Sequence, residues 1–137
     1  MLRITPYLGF DGNCAEAFRL DERALGGTIE VLTTYGDTPM KEQMPPDTHG
    51  RVVHVRLAVN GDWLMGGDAP PGQYTKPASI TVNVQVDRVA EAERIYRELS
   101  EGGTVEMEMQ QTFWAARFAM FRDRFGTPWM INCEKDA

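Results

Sequence analysis

Histidine, cysteine and basic charge are all scarce in this chain of 137 residues, and each shortage removes a class of function. Two histidines, His49 and His54, cannot build an imidazole-rich metal centre alone; a site would have to join His54 with Glu134, Asp68 or His49. Two cysteines, Cys14 and Cys133, lie most of the chain apart, which excludes a Cys-x-x-C pair and a disulfide-dense scaffold. Both read as reduced, structural thiols, with a depressed pKa near a helix N-terminus as the alternative for Cys14. Lys and Arg number 14 against 20 Asp and Glu, for a net charge of −6 and a pI of about 4.9. With its basic residues scattered, the chain is unsuited to nucleic acid or an anionic membrane and better suited to a neutral or cationic small molecule. No apolar run approaches the ~20 residues that span a bilayer, and the opening MLRITP lacks the shape of a signal peptide, so a cytoplasmic protein is expected. Motifs are missing too: without G-x-S-x-G, H-E-x-x-H, a P-loop or G-x-G-x-x-G, hydrolase, zincin and nucleotide-binding functions have no support.

What is present reads as one domain folded from a repeat. A chain of this length buries roughly two thirds of its unfolded surface without staples. A strand over 4–10 breaks at Asp11-Gly12, and Asn13 with Glu16 three residues on forms a capping box for a helix over 14–25. Ala17, Leu20, Ala24 and Leu25 supply its apolar stripe and Gly26-Gly27 its stop. A strand over 28–34, a turn-rich mobile loop over 35–50, and strands over 51–59 and 62–67 joined at Asn60-Gly61 complete the first half. The second half repeats the order: strand 78–86, helix 89–100 capped by Asp87 and stopped by Gly102-Gly103, then strands 104–111, 115–122 and 127–134. The expected fold is α+β, a single domain of two βαβββ modules, about 1–68 and 78–137, joined by a linker over 69–77. Their strands would curl in a mixed sheet around a cavity with the helices outside; a ferredoxin-like sandwich has too few strands to compete.

Strand alternation assigns side chains to faces. Ile80, Val82, Val84 and Val86 are expected against a helix, leaving Thr81, Asn83 and Gln85 on the wet side. Val53, Val55, Leu57 and Val59 form the buried side of their strand and leave His54 and Arg56 together on the other. In the last strand Trp129 and Ile131 alternate with Met130, Asn132 and Glu134. His49, beside Gly50, is expected as an exposed loop residue. For Arg56 two uses are open: a bidentate anchor for a carboxylate or phosphonate, or a pair with Asp68 or Glu134. Most aromatics at strand spacing are core, with Trp114 and the adjacent Phe113 the candidates for stacking on a ligand. The methionines, Met65 and Met130 among them, offer deformable apolar lining.

The stretch 110–132, QQTFWAARFAMFRDRFGTPWMIN, carries six aromatics around a Gly-Thr-Pro turn. Its pattern Q-x-T-F-W-A, then R-F, then D-x-F-G-x-P-W-M-I-N resembles the C-terminal end of PhnB-like proteins. They are a branch of the vicinal-oxygen-chelate superfamily, with glyoxalase I, bleomycin-resistance proteins and extradiol dioxygenases. The resemblance covers nearly the whole chain; Leu20-Asp21 departs from it, where relatives usually carry an aromatic pair.

That resemblance implies the paired-module fold, a homodimer, and a small organic molecule bound in the sheet cavity. Superfamily metalloenzymes hold a divalent ion with His or Glu from the first and last strands of each module. The corresponding positions fall near Pro6 and at Met65, Thr81 and Met130, none a usable ligand, so neither metal nor cofactor is expected. The resemblance also carries a label alluding to demethylubiquinone methyltransferase, yet no glycine fingerprint for a methyl-donor cofactor follows the first strand. Candidate site residues are His54 as proton-transferring or contacting group, Arg56 as its electrophilic support, and a cavity lining of Met65, Thr81, Asn83, Phe113, Trp114, Met130 and Asn132. Rival functions are a metal-dependent lyase, isomerase or dioxygenase, and antibiotic sequestration like that of bleomycin-resistance proteins.

Overall fold

The hexapeptide Gly-Gly-Thr-Ile-Glu-Val at 26–31 returns as Gly-Gly-Thr-Val-Glu-Met at 102–107, and the same structure is built on both copies. In the computed structural model, which describes residues 1–135, the chain separates into two compact units, Met1–Thr75 and Lys76–Ala137. The first contains β1 (Tyr7–Phe10), α1 (Cys14–Leu25), β2 (Thr28–Thr34), β3 (Val52–Val59) and β4 (Asp62–Asp68). The second contains β5 (Val82–Val86), α2 (Val89–Ser100), β6 (Thr104–Gln110), β7 (Ala115–Arg122) and β8 (Pro128–Glu134). Each forms a four-stranded sheet, ordered β1-β4-β3-β2 and β5-β8-β7-β6. The first strand of each unit runs parallel to the last, and the other pairs are antiparallel. The two βαβββ modules expected from the sequence are therefore present.

Each Gly-Gly pair has a divided task. Gly26 and Gly102 adopt φ of 73° and 76°, the left-handed turn that ends the helix. Gly27 and Gly103 instead let the next strand approach: a Cβ there would overlap the carbonyl oxygens of Ala58 and Arg122. The Asn60-Gly61 hairpin also forms, with φ of 49° and 85°.

The core of each unit lies between helix and sheet. Leu8, Phe10, Phe18, Val55, Leu57 and Leu64 fill the first; Ile95, Leu99, Ala119, Phe121, Trp129 and Ile131 fill the second, with Tyr96 edge-on to Phe121 at 5.6 Å. Leu20 and Asp21 are both buried on α1. Gly66 keeps β4 against the helix, since a Cβ there would stand 2.8 Å from Cε2 of Phe18.

Several local expectations need correction. Asn13 makes no side-chain cap. Asp68 instead ties down the helix entry from across the sheet: its Oδ1 accepts from Gly12 N at 2.8 Å and from Cys14 N, the first helical amide, at 3.1 Å. Arg88 rather than Asp87 precedes α2, again without a side-chain cap. Strands β1 and β5 are shorter than their sequence alternation, for a common reason. Tyr7 begins β1 after Pro6, and β5 begins at Val82 opposite Trp129, the residue after Pro128; proline lacks the N–H that would extend either ladder. Ile80, expected against α2, is 68 % exposed. The 35–50 segment carries three 3-10 turns, and the His49 ring N–H is shared between the carbonyls of Lys41 at 2.8 Å and Met44 at 3.1 Å. His49 is accordingly half-buried and ties its own loop together.

Candidate functional site

The face of the first sheet turned away from α1 is built from alternate residues. In β4, Leu64, Gly66 and Asp68 are buried toward the helix side, which sends Trp63, Met65 and Gly67 to the other. Cross-strand register then places Arg56 beside Met65 and Ala58 beside Trp63 in β3, and Tyr7 beside Met65 in β1. His54, two residues from Arg56, shares this face, and its ring stacks on Tyr7 with centroids 6.2 Å apart and planes 19° from parallel. Tyr7 as a residue is 55 % exposed, while its hydroxyl donates to Val53 O at 3.1 Å. Burial of that hydroxyl, with Cys14, Tyr35 and Asp68 adding, raises its pKa, so the phenol stays neutral. Gly67 makes the contact possible: a Cβ there would lie 2.6 Å from the Tyr7 oxygen.

Charge on this face is concentrated at one end. Arg56 Nε donates to Glu30 Oε1 at 3.1 Å, and its guanidinium lies 4.3 Å from the centre of the Trp63 ring. Arg3 places a second guanidinium 4.0 Å from the same ring and donates to Gly61 O at 2.9 Å. Glu30 belongs to a β-bulge: the β2–β3 register slips between Ile29 and Val31, setting two β2 residues against Arg56. The partner of Arg56 is thus Glu30, and neither Asp68 nor Glu134.

The corresponding face of the second sheet carries uncharged side chains where β5, β8 and β7 meet, with the Glu106–Arg122 pair toward its end. Asn83 pairs with Met130, Gln85 with Asn132, Met120 with Met130 and Phe118 with Asn132. Asn83 Nδ2 donates to Gln85 Oε1 at 3.2 Å. Asn132 Oδ1 is shut off from solvent and has no hydrogen-bond partner among the described residues. Trp114 packs edge-on against Phe118 at 5.3 Å, and Phe113 against Trp114 at 4.7 Å. Phe113 is nevertheless 87 % exposed, and Thr81 is exposed just ahead of β5. The structure therefore gathers His54, Arg56 and Met65 on one sheet and Asn83, Met130 and Asn132 on the other, with Trp114 joined to the second through Phe118.

A divalent metal does not fit this donor set. The paired first-strand and last-strand positions are Tyr7 with Met65 and Asn83 with Met130: a neutral phenol, an amide and two thioethers. No group of three or more His, Cys, Asp or Glu able to hold an ion occurs among the described residues. Cys14 does not supply a reactive thiolate either: burial pushes its pKa well above the usual value, with Asp68 and Asp21 adding.

Sequence reading missed Glu30, Arg3, Trp63, Met120 and Phe118 as face residues. Glu30 had a signal in the repeated Gly-Gly-Thr-x-Glu, since Glu106 occupies the equivalent bulge in β6 and lies 3.7 Å from Arg122 Nε. The others become visible only once strand register is known.

A profile of the family described as 3-demethylubiquinone-9 3-methyltransferase matches residues 2–132. Protein YjdN of Escherichia coli is 33 % identical over 142 residues, covering 96 % of this chain and 95 % of that one. The crystal structure of protein PA1353 from Pseudomonas aeruginosa superimposes with a TM-score of 0.91 at 45 % identity, covering 99 % of this chain and 100 % of the other. A Bacillus cereus structure described as a PhnB protein and 3-demethylubiquinone-9 3-methyltransferase has a TM-score of 0.81 at 20 % identity, over 96 % and 99 % of the two chains.

Proposed function

Because the chain belongs to the family described as 3-demethylubiquinone-9 3-methyltransferase, the PhnB-like branch of the vicinal-oxygen-chelate superfamily, we propose that it binds a small organic molecule on its helix-free sheet faces, without a metal. The observation that carries this reading is Asn132. Its Oδ1 is a buried acceptor with no partner among the described residues, beside Phe118, Met120 and Met130 on a face that also carries the paired amides of Asn83 and Gln85. An unmet buried acceptor costs about 1–3 kcal/mol, and a ligand N–H or O–H that reached it by displacing the side chains over it would offset that cost. The thioether and aromatic neighbours supply apolar contact around that unmet acceptor.

Metal independence is supported by the Tyr7–Met65 and Asn83–Met130 pairs, which offer no imidazole, carboxylate or thiolate. Methyl transfer, the activity in the family's description, has no support in this chain. No glycine fingerprint follows β1, and the Gly12 and Cys14 amides entering α1 already bond to Asp68. If the first face also turns a ligand over, His54 is its proton-transferring group and Arg56 supports developing negative charge; His54→Ala would then abolish turnover with binding kept. A homodimer completes the proposal, supported by the exposed apolar side chains Leu2, Ile4, Ile80 and Phe113. Light scattering should return twice the 15.4 kDa of one chain, and a monomer at micromolar concentration would refute that part.

Binding itself is tested by methionine-methyl NMR against mixtures of small organic compounds. Ligands should move the Met65, Met120 or Met130 methyls more than those of the exposed Met1 and Met40. A broad library that moves none of the three face methyls would remove the proposal.

A further inference from the structure

We propose that the helix-free face of the first sheet takes a small organic anion, and that Glu30 is its built-in stand-in, displaced from Arg56 when the ligand's oxyanion arrives. The inference rests on the binding reading above and gives that reading a ligand class and a specificity residue. It begins with an incomplete ion pair. Arg56 donates to Glu30 through Nε alone, at 3.1 Å, and neither of its terminal nitrogens donates to any described residue. A guanidinium held by one edge nitrogen still presents its remaining fork to a planar oxyanion. Both partners reach solvent, with side-chain exposures of 30 % for Arg56 and 42 % for Glu30, so exchange of one carboxylate for another needs no unfolding.

The surroundings favour negative charge although the chain as a whole is acidic. Arg3 stands over the same Trp63 ring as Arg56, bonds only to Gly61 O, and has no carboxylate partner among the described residues. Two guanidiniums thus face one carboxylate in a protein of net charge −6. The stacked Tyr7 and His54 rings continue the face beside Arg56 with a planar, aromatic surface for the body of the ligand. The second unit supplies an internal control. Its equivalent bulge glutamate, Glu106, lies 3.7 Å from Arg122, whose Nη1 is committed to Gly126 O in the β7–β8 turn. Arg122 stands at the position of Ala58 and Met120 at that of Arg56, so the second glutamate braces a hairpin, while the Glu30–Arg56 pair has no such backbone commitment.

The test titrates benzoate, benzamide and benzylamine into the full-length protein and into Glu30→Gln and Arg56→Gln, following the Met65 methyl by NMR. Benzoate should move Met65 more tightly than benzamide, and benzylamine should not. Glu30→Gln removes the internal competitor and should tighten benzoate by about one and a half- to fivefold, the range set by an exposed ion pair. Arg56→Gln should weaken benzoate by about tenfold or more. Unchanged or weaker benzoate binding in Glu30→Gln, or benzylamine binding as well as benzoate, overturns the inference. Benzamide moving Met65 with benzoate no tighter also overturns it but leaves the small-molecule reading standing. Failure of all three compounds to move Met65, Met120 or Met130 in any variant counts against both. Glu30→Gln keeps the test decisive should Arg56→Gln fail to fold.

Discussion

Asp68 joins three parts of the first unit that are distant in sequence. The residue is 5 % exposed, and its carboxylate accepts from Gly12 N, Cys14 N and Val52 N, at 2.8, 3.1 and 2.8 Å. Asp68→Ala would strand those amides, so its unfolding free energy in urea should fall by about 2–4 kcal/mol, several hydrogen bonds' worth after partial rehydration. A loss within about 0.5 kcal/mol, as for an ordinary surface substitution, would contradict that account. Asp123 does similar work in the β7–β8 turn, accepting from Phe125 N, Thr127 N and Trp129 Nε1. Burial nonetheless raises its pKa, the three donors and Arg124 only partly offsetting the loss of water. The folded state therefore holds this proton more tightly than the unfolded chain. Its contribution to stability is full below the ordinary aspartate value and is lost as pH climbs through the raised one. Asp123→Asn lacks this term, so the stability margin of the natural protein over the variant should shrink between pH ~3 and pH ~6, read from urea midpoints. A margin that widens over that range would reverse the assignment.

Helices were the most legible elements. Both run as their apolar spacing and Gly-Gly stops indicate, Cys14–Leu25 and Val89–Ser100, because helix periodicity and its terminator are local properties of the chain. What sequence left out is non-local. The cap of α1 comes from β4, and the start of β5 is set by a proline in β8. The Gly-Gly pairs show the same division, since their first residue acts on its own helix and their second on a strand some thirty residues away in the first unit. Gly26→Ala, paying only for a left-handed alanine, should cost about 1 kcal/mol. Gly27→Ala and Gly103→Ala force a methyl onto a neighbouring strand's carbonyl and should cost about 1–3 kcal/mol each in the same denaturation assay. Equal, small losses at all three positions would mean that the second glycines are ordinary turn residues.

For the whole molecule, each unit owns a helix, a sheet and a core, and the segment between β4 and β5 has no regular secondary structure. A site-specific protease sequence inserted between Gly72 and Tyr74 should be cut with the far-ultraviolet circular dichroism unchanged; collapse of the signal on cutting would show that the units depend on that connection. The candidate faces were only half legible at this scale. Alternation sufficed to put His54 with Arg56 and Met130 with Asn132, whereas Glu30, Trp63 and Arg3 join the first face through a bulge, a cross-strand neighbour and a residue ahead of β1. Both faces are floored by methionine, Met65 on one and Met120 with Met130 on the other. Unbranched thioethers re-pack with little strain, and none of the three is among the residues that cap, turn or close the scaffold. Ligand preference in this protein is therefore separable from foldability: a laboratory evolution campaign could vary either surface independently, keeping Gly27, Gly103, Asp68 and Asp123 fixed, and still recover folded proteins from most of its library.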